Sequence, residues 1–344
     1  MSNVKLAFDD VLLEPQYSEI GSRSLIDTCS ELHLDCELKI PIIASPMDTV
    51  TSTDMAIAMH RHGGLGVIHR YNSIREQVEL IRGTYIGGMC NAGAAVGIAG
   101  DYLERALELV KAGVNIICVD AAHGHHVHMK KTIMQLRKYL GYNIHIMAGN
   151  VATAAGFQDL VDWGADSIRV GIGGGSICTT RIQTGHGVPT FQSILDCADY
   201  ARTSGVKLIA DGGIKNSGDI VKALAGGADF VIVGSLLAGT DESPGEVITD
   251  LNTGKKYKKY RGMASFEAQE DFKGASYHVE GVSSRAPYRG PVGEVINKLS
   301  AGIRSGFSYS GAINLEELRE RAKFIRQSDC STRESTAHIL LRND

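Results

Sequence analysis

Arg169-Val-Gly-Ile-Gly-Gly-Gly-Ser-Ile-Cys-Thr-Thr-Arg181 concentrates more reactive chemistry than any other stretch of the chain. An apolar strand ending at Val170 opens into five residues, four of them glycine, and the loop then presents Ser176, Cys178, Thr179, Thr180 and Arg181. Glycine lacks a Cβ, so backbone N–H and C=O groups can converge there on a phosphate or an ion. A cysteine in such a loop, with hydroxyls beside it, is placed for attack rather than for packing. The plainer reading, a flexible linker holding a buried thiol, fits poorly, because linkers seldom follow a strand and carry Cys-Thr-Thr-Arg. Asp211-Gly-Gly-Ile214 and Val233-Gly-Ser235 offer further glycine amides suited to an anion. Ser176 would complete that cradle with Gly213, Gly234 and Ser235, and Asp211 could accept bonds from ribose hydroxyls. The implied ligand is a nucleoside monophosphate or a similar sugar phosphate.

These groups need a scaffold that brings distant loops together. Apolar runs at 42–44, 65–68, 94–98, 115–119, 144–147, 167–170, 207–210 and 230–233 alternate with turns and helix-patterned segments. Eight such units predict an α/β protein, a (β/α)8 TIM barrel. Residues 105–111 and 217–225 show the helical period, each closely followed by glycine as a stop. In such barrels chemistry sits on the loops after the strands. Those loops hold Ser45-Pro-Met-Asp-Thr-Val50, His69–Ser73, Asp120–His126 and Ala148-Gly-Asn150 besides the clusters above.

His123, His125, His126 and His128 invite a metal reading, but carboxylate or thiol partners are not adjacent. A solvated loop near a cofactor, with Asp120 as the polar contact, is the better expectation. Residues 250–290 stand outside the repeat. Lys255–Lys259 reads as a solvated charged turn, and 264–280 as a mobile flap after the eighth strand, with Glu280 at its end. Residues 315–325 predict a charge-laced amphipathic helix, and 330–344 a weakly ordered tail.

The chain has 344 residues, 43% hydrophobic and 22% charged, which suits a globular protein; barrels of this length are routinely one domain, so 1–344 is expected to be one. A net charge of −4 argues against a nucleic-acid surface. Seven scattered cysteines without a CxxC pair fit reduced thiols rather than disulfides or zinc. No signal peptide opens the sequence and no apolar run could span a membrane, so a cytoplasmic protein without a membrane partner is expected.

The chain resembles the inosine monophosphate dehydrogenase and guanosine monophosphate reductase superfamily over nearly its whole length. The motifs that carry the resemblance are Phe8-Asp-Asp-Val-Leu-Leu13, Ser45-Pro-Met-Asp-Thr-Val50, Gly149-Asn150, Gly171–Arg181, Asp211-Gly-Gly-Ile214, Gly234-Ser235, Tyr260-Arg-Gly-Met263 and Glu280-Gly281. Gly174 departs from it, since the family usually has proline there, and this loosens the loop. The resemblance implies Cys178 as the nucleophile on purine C2, with Thr180 and Glu280 handling protons. It implies a substrate site of Ser45, Met47, Asn150, Ser176, Asp211, Gly213, Gly234, Ser235, Tyr260, Gly262 and Met263. It also implies Asp120, Ala121 and Ala122 at a nicotinamide cofactor, a potassium ion on the backbone carbonyls of Gly173, Gly175 and Cys178, and a homotetramer.

Two reactions share the implied cysteine–purine intermediate. The dehydrogenases hydrolyse it with an Arg-Tyr pair on the flap; the reductases form it by expelling ammonia and close it with hydride. Between Met263 and Glu280 there is no arginine, Tyr277 follows Ser276, and Lys273 and His278 are the basic residues. Met147–Asn150, Ser22–Ser24 and Phe324–Arg326 look reductase-like, while Ser45–Asp48 and Gly63–His69 look dehydrogenase-like. The chain has no room after the second helix for the two-repeat (CBS) regulatory insertion of many dehydrogenases. The resemblance therefore favours an NADPH-dependent GMP reductase. An NAD-dependent IMP dehydrogenase is the alternative, and a non-catalytic purine-nucleotide-binding regulator the minor one.

Overall fold

The computed structural model describes residues 4–33, 36–89, 91–274 and 279–335. Eight parallel strands close a barrel in sequence order: β1 (Ile42–Ala44), β2 (Leu65–Ile68), β3 (Gly93–Val96), β4 (Ile116–Asp120), β5 (His145–Val151), β6 (Ser167–Val170), β7 (Lys207–Asp211) and β8 (Phe230–Val233). The helices that follow them are α1 (Thr53–Arg61), α2 (Ile74–Ile86), α3 (Tyr102–Lys111), α4 (Val127–Leu140), α5 (Ala154–Asp162), α6 (Thr190–Ser204), α7 (Ser217–Ala225) and α8 (Val292–Tyr309). The strands are continuous apolar runs because both faces are covered. One face packs under the helices, against side chains such as Phe157, Phe191 and Leu224. The other fills the barrel with Ile43, Val67, Cys118, Met147 and Ile209, and the antiparallel pair Ser30–His33 and Cys36–Leu38 adds Leu32 and Leu38 to that core. Caps fix where helices begin. Ser73 and Glu76 form a reciprocal capping box on α2, and the Asn216 carboxamide oxygen accepts from the Asp219 amide on α7.

Three expectations are corrected. Lys255–Lys259 is no solvated turn: Lys256–Arg261 is a strand between Ile248–Thr249 and Ser283–Pro287. Lys258, 3% exposed, donates its Nζ to the Thr240, Asp241 and Ser243 carbonyls. Burial lowers its pKa, against the pull of Asp241 and Glu242. The C-terminal helix stops at Arg321, because Phe324–Arg326 pairs antiparallel with Val11–Leu13 and Phe324 packs edge-on to Phe191. Beyond it, Asp329–Glu334 is a helix, with the Thr332 hydroxyl bonded to the Asp9 carbonyl, so the start of the expected tail is structured. Residues 336–344 lie outside the described residues.

The segment between β8 and α8 contains that three-stranded sheet and a flap helix, Phe266–Lys273, capped by Ser265. Ser276, Tyr277 and His278 lie outside the described residues, as does Cys90.

Candidate active site

Two adjoining cavities open at the strands' C-terminal ends, of about 320 and 260 Å³. Every site candidate named from the sequence lines one or both. Ser176, Gly213, Gly234 and Ser235 line the first; Cys178, Thr180, Glu280, Asn150, Gly262, Met263, Gly173 and Asp120–Ala122 line the second. Ser45, Met47, Gly175, Asp211 and Tyr260 border both, so the two form one continuous mouth.

The first cavity is lined by turn glycines together with side chains such as Phe8, Thr190 and Lys215. Gly212 and Gly213 hold φ of +92° and +81°, a region side chains enter at about 1–2 kcal/mol each. A Cβ on Gly171 would stand 2.0 Å from the Asp211 carbonyl oxygen, so the β6 and β7 turns meet only through glycine. Tyr260 closes the side; burial raises its pKa, against a hydrogen bond with Ser176.

The second cavity holds the reactive side chains. The Cys178 thiol lies 3.2 Å from the Thr180 hydroxyl, which donates to Glu280 at 2.8 Å. Backbone bonds set this alignment: Thr179 N–H donates to the Glu280 carbonyl at 2.9 Å and Val282 N–H to the Ile177 carbonyl at 3.0 Å. Sulfur, hydroxyl and carboxylate stand in series, a path along which a proton can leave the thiol and return.

Sequence reasoning gave no role to Arg169, Arg70, Asp48 or Arg261. Arg169 is buried in the barrel and bridges Asp120 (2.7 Å) and Asp211 (2.8 Å). Burial lowers the pKa of Arg169, but both carboxylates and Cys118 outweigh it and hold the guanidinium well above its usual value. Burial raises Asp120, yet Arg169 and Arg70 hold it below the ordinary carboxylate value. The same burial pushes the Cys118 thiol up to about 11. Asn150 donates to Asp211 at 2.9 Å, so the residue expected at a ribose is anchored by Arg169 and Asn150. A lone cation in the apolar run Ser-Ile-Arg-Val was the available signal, since a buried charge needs carboxylate partners. Arg261 joins Asp48 of the β1 loop to Asp271 of the flap helix, and Tyr71 stacks on Phe272 at 4.6 Å.

The histidines are engaged with one another and with their helices: His126 stacks on His128 at 5.1 Å and caps α4 through the His128 amide, while His125 bonds Asp159 at 2.7 Å. Among the described residues no group of three or more His, Cys, Asp or Glu could hold a metal ion, and no helix is long and apolar enough to cross a membrane. Ala121 and Ala122, the residues expected at a nicotinamide, line the cavity that holds Cys178, beside Arg70, Tyr71 and Asp120. The Ala121 amide, bonded to the Gly149 carbonyl at 2.9 Å, fixes that wall.

Barrel and mouth together define an enzyme of the (β/α)8 class with a loop-borne thiol. The family model described as "IMP dehydrogenase / GMP reductase domain" matches residues 5–338, and the chain belongs to that family. Its members are oxidoreductases that act on purine nucleotides with nicotinamide cofactors. Similar proteins carry both names. An inosine-5′-monophosphate dehydrogenase of Cryptosporidium parvum is 37% identical, covering 97% of this chain and 94% of the relative. A GMP reductase of Leishmania major is 33% identical, covering 97% and 96%. The crystal structure of GMP reductase from Trypanosoma brucei with guanosine 5′-monophosphate superposes with a TM-score of 0.92 at 31% identity, covering 98% of each chain.

Proposed function

We propose that the chain is a GMP reductase, converting guanosine monophosphate to inosine monophosphate and ammonia with NADPH. One observation carries the reading. The series Cys178–Thr180–Glu280 is complete, while residues 264–279 hold no arginine to activate a hydrolytic water.

Ser176, Gly213, Gly234 and Ser235 hold the 5′-phosphate, Asp211 the ribose, and Asn150, Ser45, Met47, Tyr260, Gly262 and Met263 the base and its surroundings. The thiol proton passes through Thr180 to Glu280, and sulfur attacks C2. The bond from C2 to the exocyclic amine breaks, and the same proton returns through Thr180 to leave with it as ammonia. Sulfur is now bonded to C2 as a thioimidate. A reduced nicotinamide, when bound along Asp120–Ala122, supplies hydride to C2. Cys178 then departs as thiolate, and a proton from solvent restores the thiol.

Neutral carbonyls of Gly173, Gly175 and Cys178 have the donor chemistry for potassium, although the Gly175 oxygen already accepts the Cys178 amide at 3.1 Å and has one lone pair left for an ion. A cytoplasmic homotetramer of one catalytic domain per chain is the setting that goes with this reading.

A paired assay tests it. Purified protein with guanosine monophosphate and NADPH should lose the reduced-nicotinamide absorbance. No loss there, with reduction of NAD+ by inosine monophosphate, would establish the dehydrogenase reading instead, which Ser45–Asp48 and Gly63–His69 favour.

A further inference from the structure

The first residue of α6, Thr190, is 4% exposed, and its hydroxyl oxygen is shut off from solvent with no hydrogen-bond partner among the described residues. An orphaned buried hydroxyl is destabilising, which points to a state in which it is bonded. Its neighbours suggest which state. The Cβ that Gly174 lacks would stand 2.4 Å from this oxygen, and that of Gly213 3.6 Å from it. The hydroxyl therefore lies directly beneath the two glycine turns that wall the first cavity, and Thr190 borders that cavity. Gly174 is also the position where proline would otherwise stiffen the loop, so the peptide resting on the hydroxyl is the one free to rotate.

We propose that Thr190 is a positioning residue that couples nucleotide binding to the backbone conformation of the glycine loop. When a phosphate enters, the Gly174 peptide turns, Thr190 gains its missing hydrogen bond to it, and the loop amides are held facing the anion. The free protein carries the orphaned hydroxyl; the complex does not. This inference rests on the reading of the first cavity as a nucleotide's phosphate site.

Calorimetric titration with guanosine monophosphate and inosine monophosphate, beside thermal melts of the free protein, tests it in Thr190→Val and Thr190→Ser. Val keeps the shape and removes the hydroxyl. It should weaken Kd about tenfold, the worth of one hydrogen bond, while the free protein melts no lower than wild type. Ser keeps the hydroxyl and should bind within about threefold of wild type. A Thr190→Val protein that binds as tightly as wild type overturns the proposal. So does one whose free form melts lower with unchanged Kd, since the hydroxyl is then already bonded without ligand. Should Val prevent folding, Thr190→Ala replaces it under the same criteria. Wild type that binds neither nucleotide sinks the underlying site reading, a result distinct from either of these.

Discussion

The cavity lined by Gly213, Gly234 and Ser235 and the cavity around Cys178 share a border and differ in the reactive groups they hold. The first joins glycines of the turns after β6, β7 and β8, Gly212 and Gly213 among them in a conformation that side chains avoid, to the side chains of Phe8, Arg181, Thr190 and Lys215. The second holds Cys178, Thr180 and Glu280 with Arg70, Tyr71, Asp120, Asn150 and Arg169, beside glycines of its own such as Gly171, Gly173, Gly262 and Gly281. Cys178, Thr180 and Glu280 line the second cavity and not the first. Holding a nucleotide and transforming it should therefore be separable by mutation, except where one residue supports both cavities.

The strongest test of that separation is Cys178→Ser. Turnover should fall at least about 10⁴-fold, as for loss of a nucleophile, while the calorimetric Kd for guanosine monophosphate stays within about threefold. Parallel loss of affinity would mean that the cavities are not independent.

Arg169→Met probes the shared border and should damage both. Removing one member of a buried charge network leaves Asp120 with Arg70 alone and Asp211 with Asn150 alone, at about 3–5 kcal/mol of stability in urea unfolding. The pH dependence has a definite sign. In wild type Asp120 titrates below its ordinary 3.8, so its contribution is present above that value and is lost as pH falls through the lower folded value. Without Arg169 only Arg70 opposes the burial of Asp120, so its folded pKa rises and the stability it contributes above the carboxylate range shrinks. An unfolding free energy with the same pH profile in both proteins would contradict the network.

Glu280→Gln sharpens the assignment within the second cavity. It preserves shape but cannot take the proton, so kcat should fall about 10²-fold with KM nearly unchanged. A rise in KM alone would make Glu280 a binding residue.

Gly213→Ala is the mildest change and the mirror image. Its would-be Cβ meets nothing nearer than 3.6 Å, so the cost is the strain of φ +81°, about 1–2 kcal/mol. That cost should appear as a weaker Kd for nucleotide, with kcat at saturation kept. A lowered kcat with unchanged Kd would reverse the division of labour.

Legibility in the sequence followed the kind of signal each element carried. The barrel was readable because strands buried on both faces are apolar runs: β1, β2, β6 and β8 fall at their expected residues, and α7 matches 217–225. The strand Lys256–Arg261 was hidden because its lysines mimic a solvated turn; only the carbonyls of Thr240, Asp241 and Ser243 explain Lys258. Phe324–Arg326 was hidden for another reason, as its partner Val11–Leu13 lies at the far end of the chain.

What the sequence determined by itself was the periodicity, the glycine turns and the residue types at the strand ends, because these depend on local backbone sterics and on which faces must be apolar. What only the tertiary structure decided was which groups touch. Thr180 and Glu280 lie 100 residues apart and 2.8 Å from each other. Arg169 spans two strand-end carboxylates across the barrel, and the Thr190 hydroxyl, without a partner among the described residues, lies beneath Gly174. Those pairings depend on how the barrel closes and on where burial makes a polar group demand a partner, and neither is a property of any one segment.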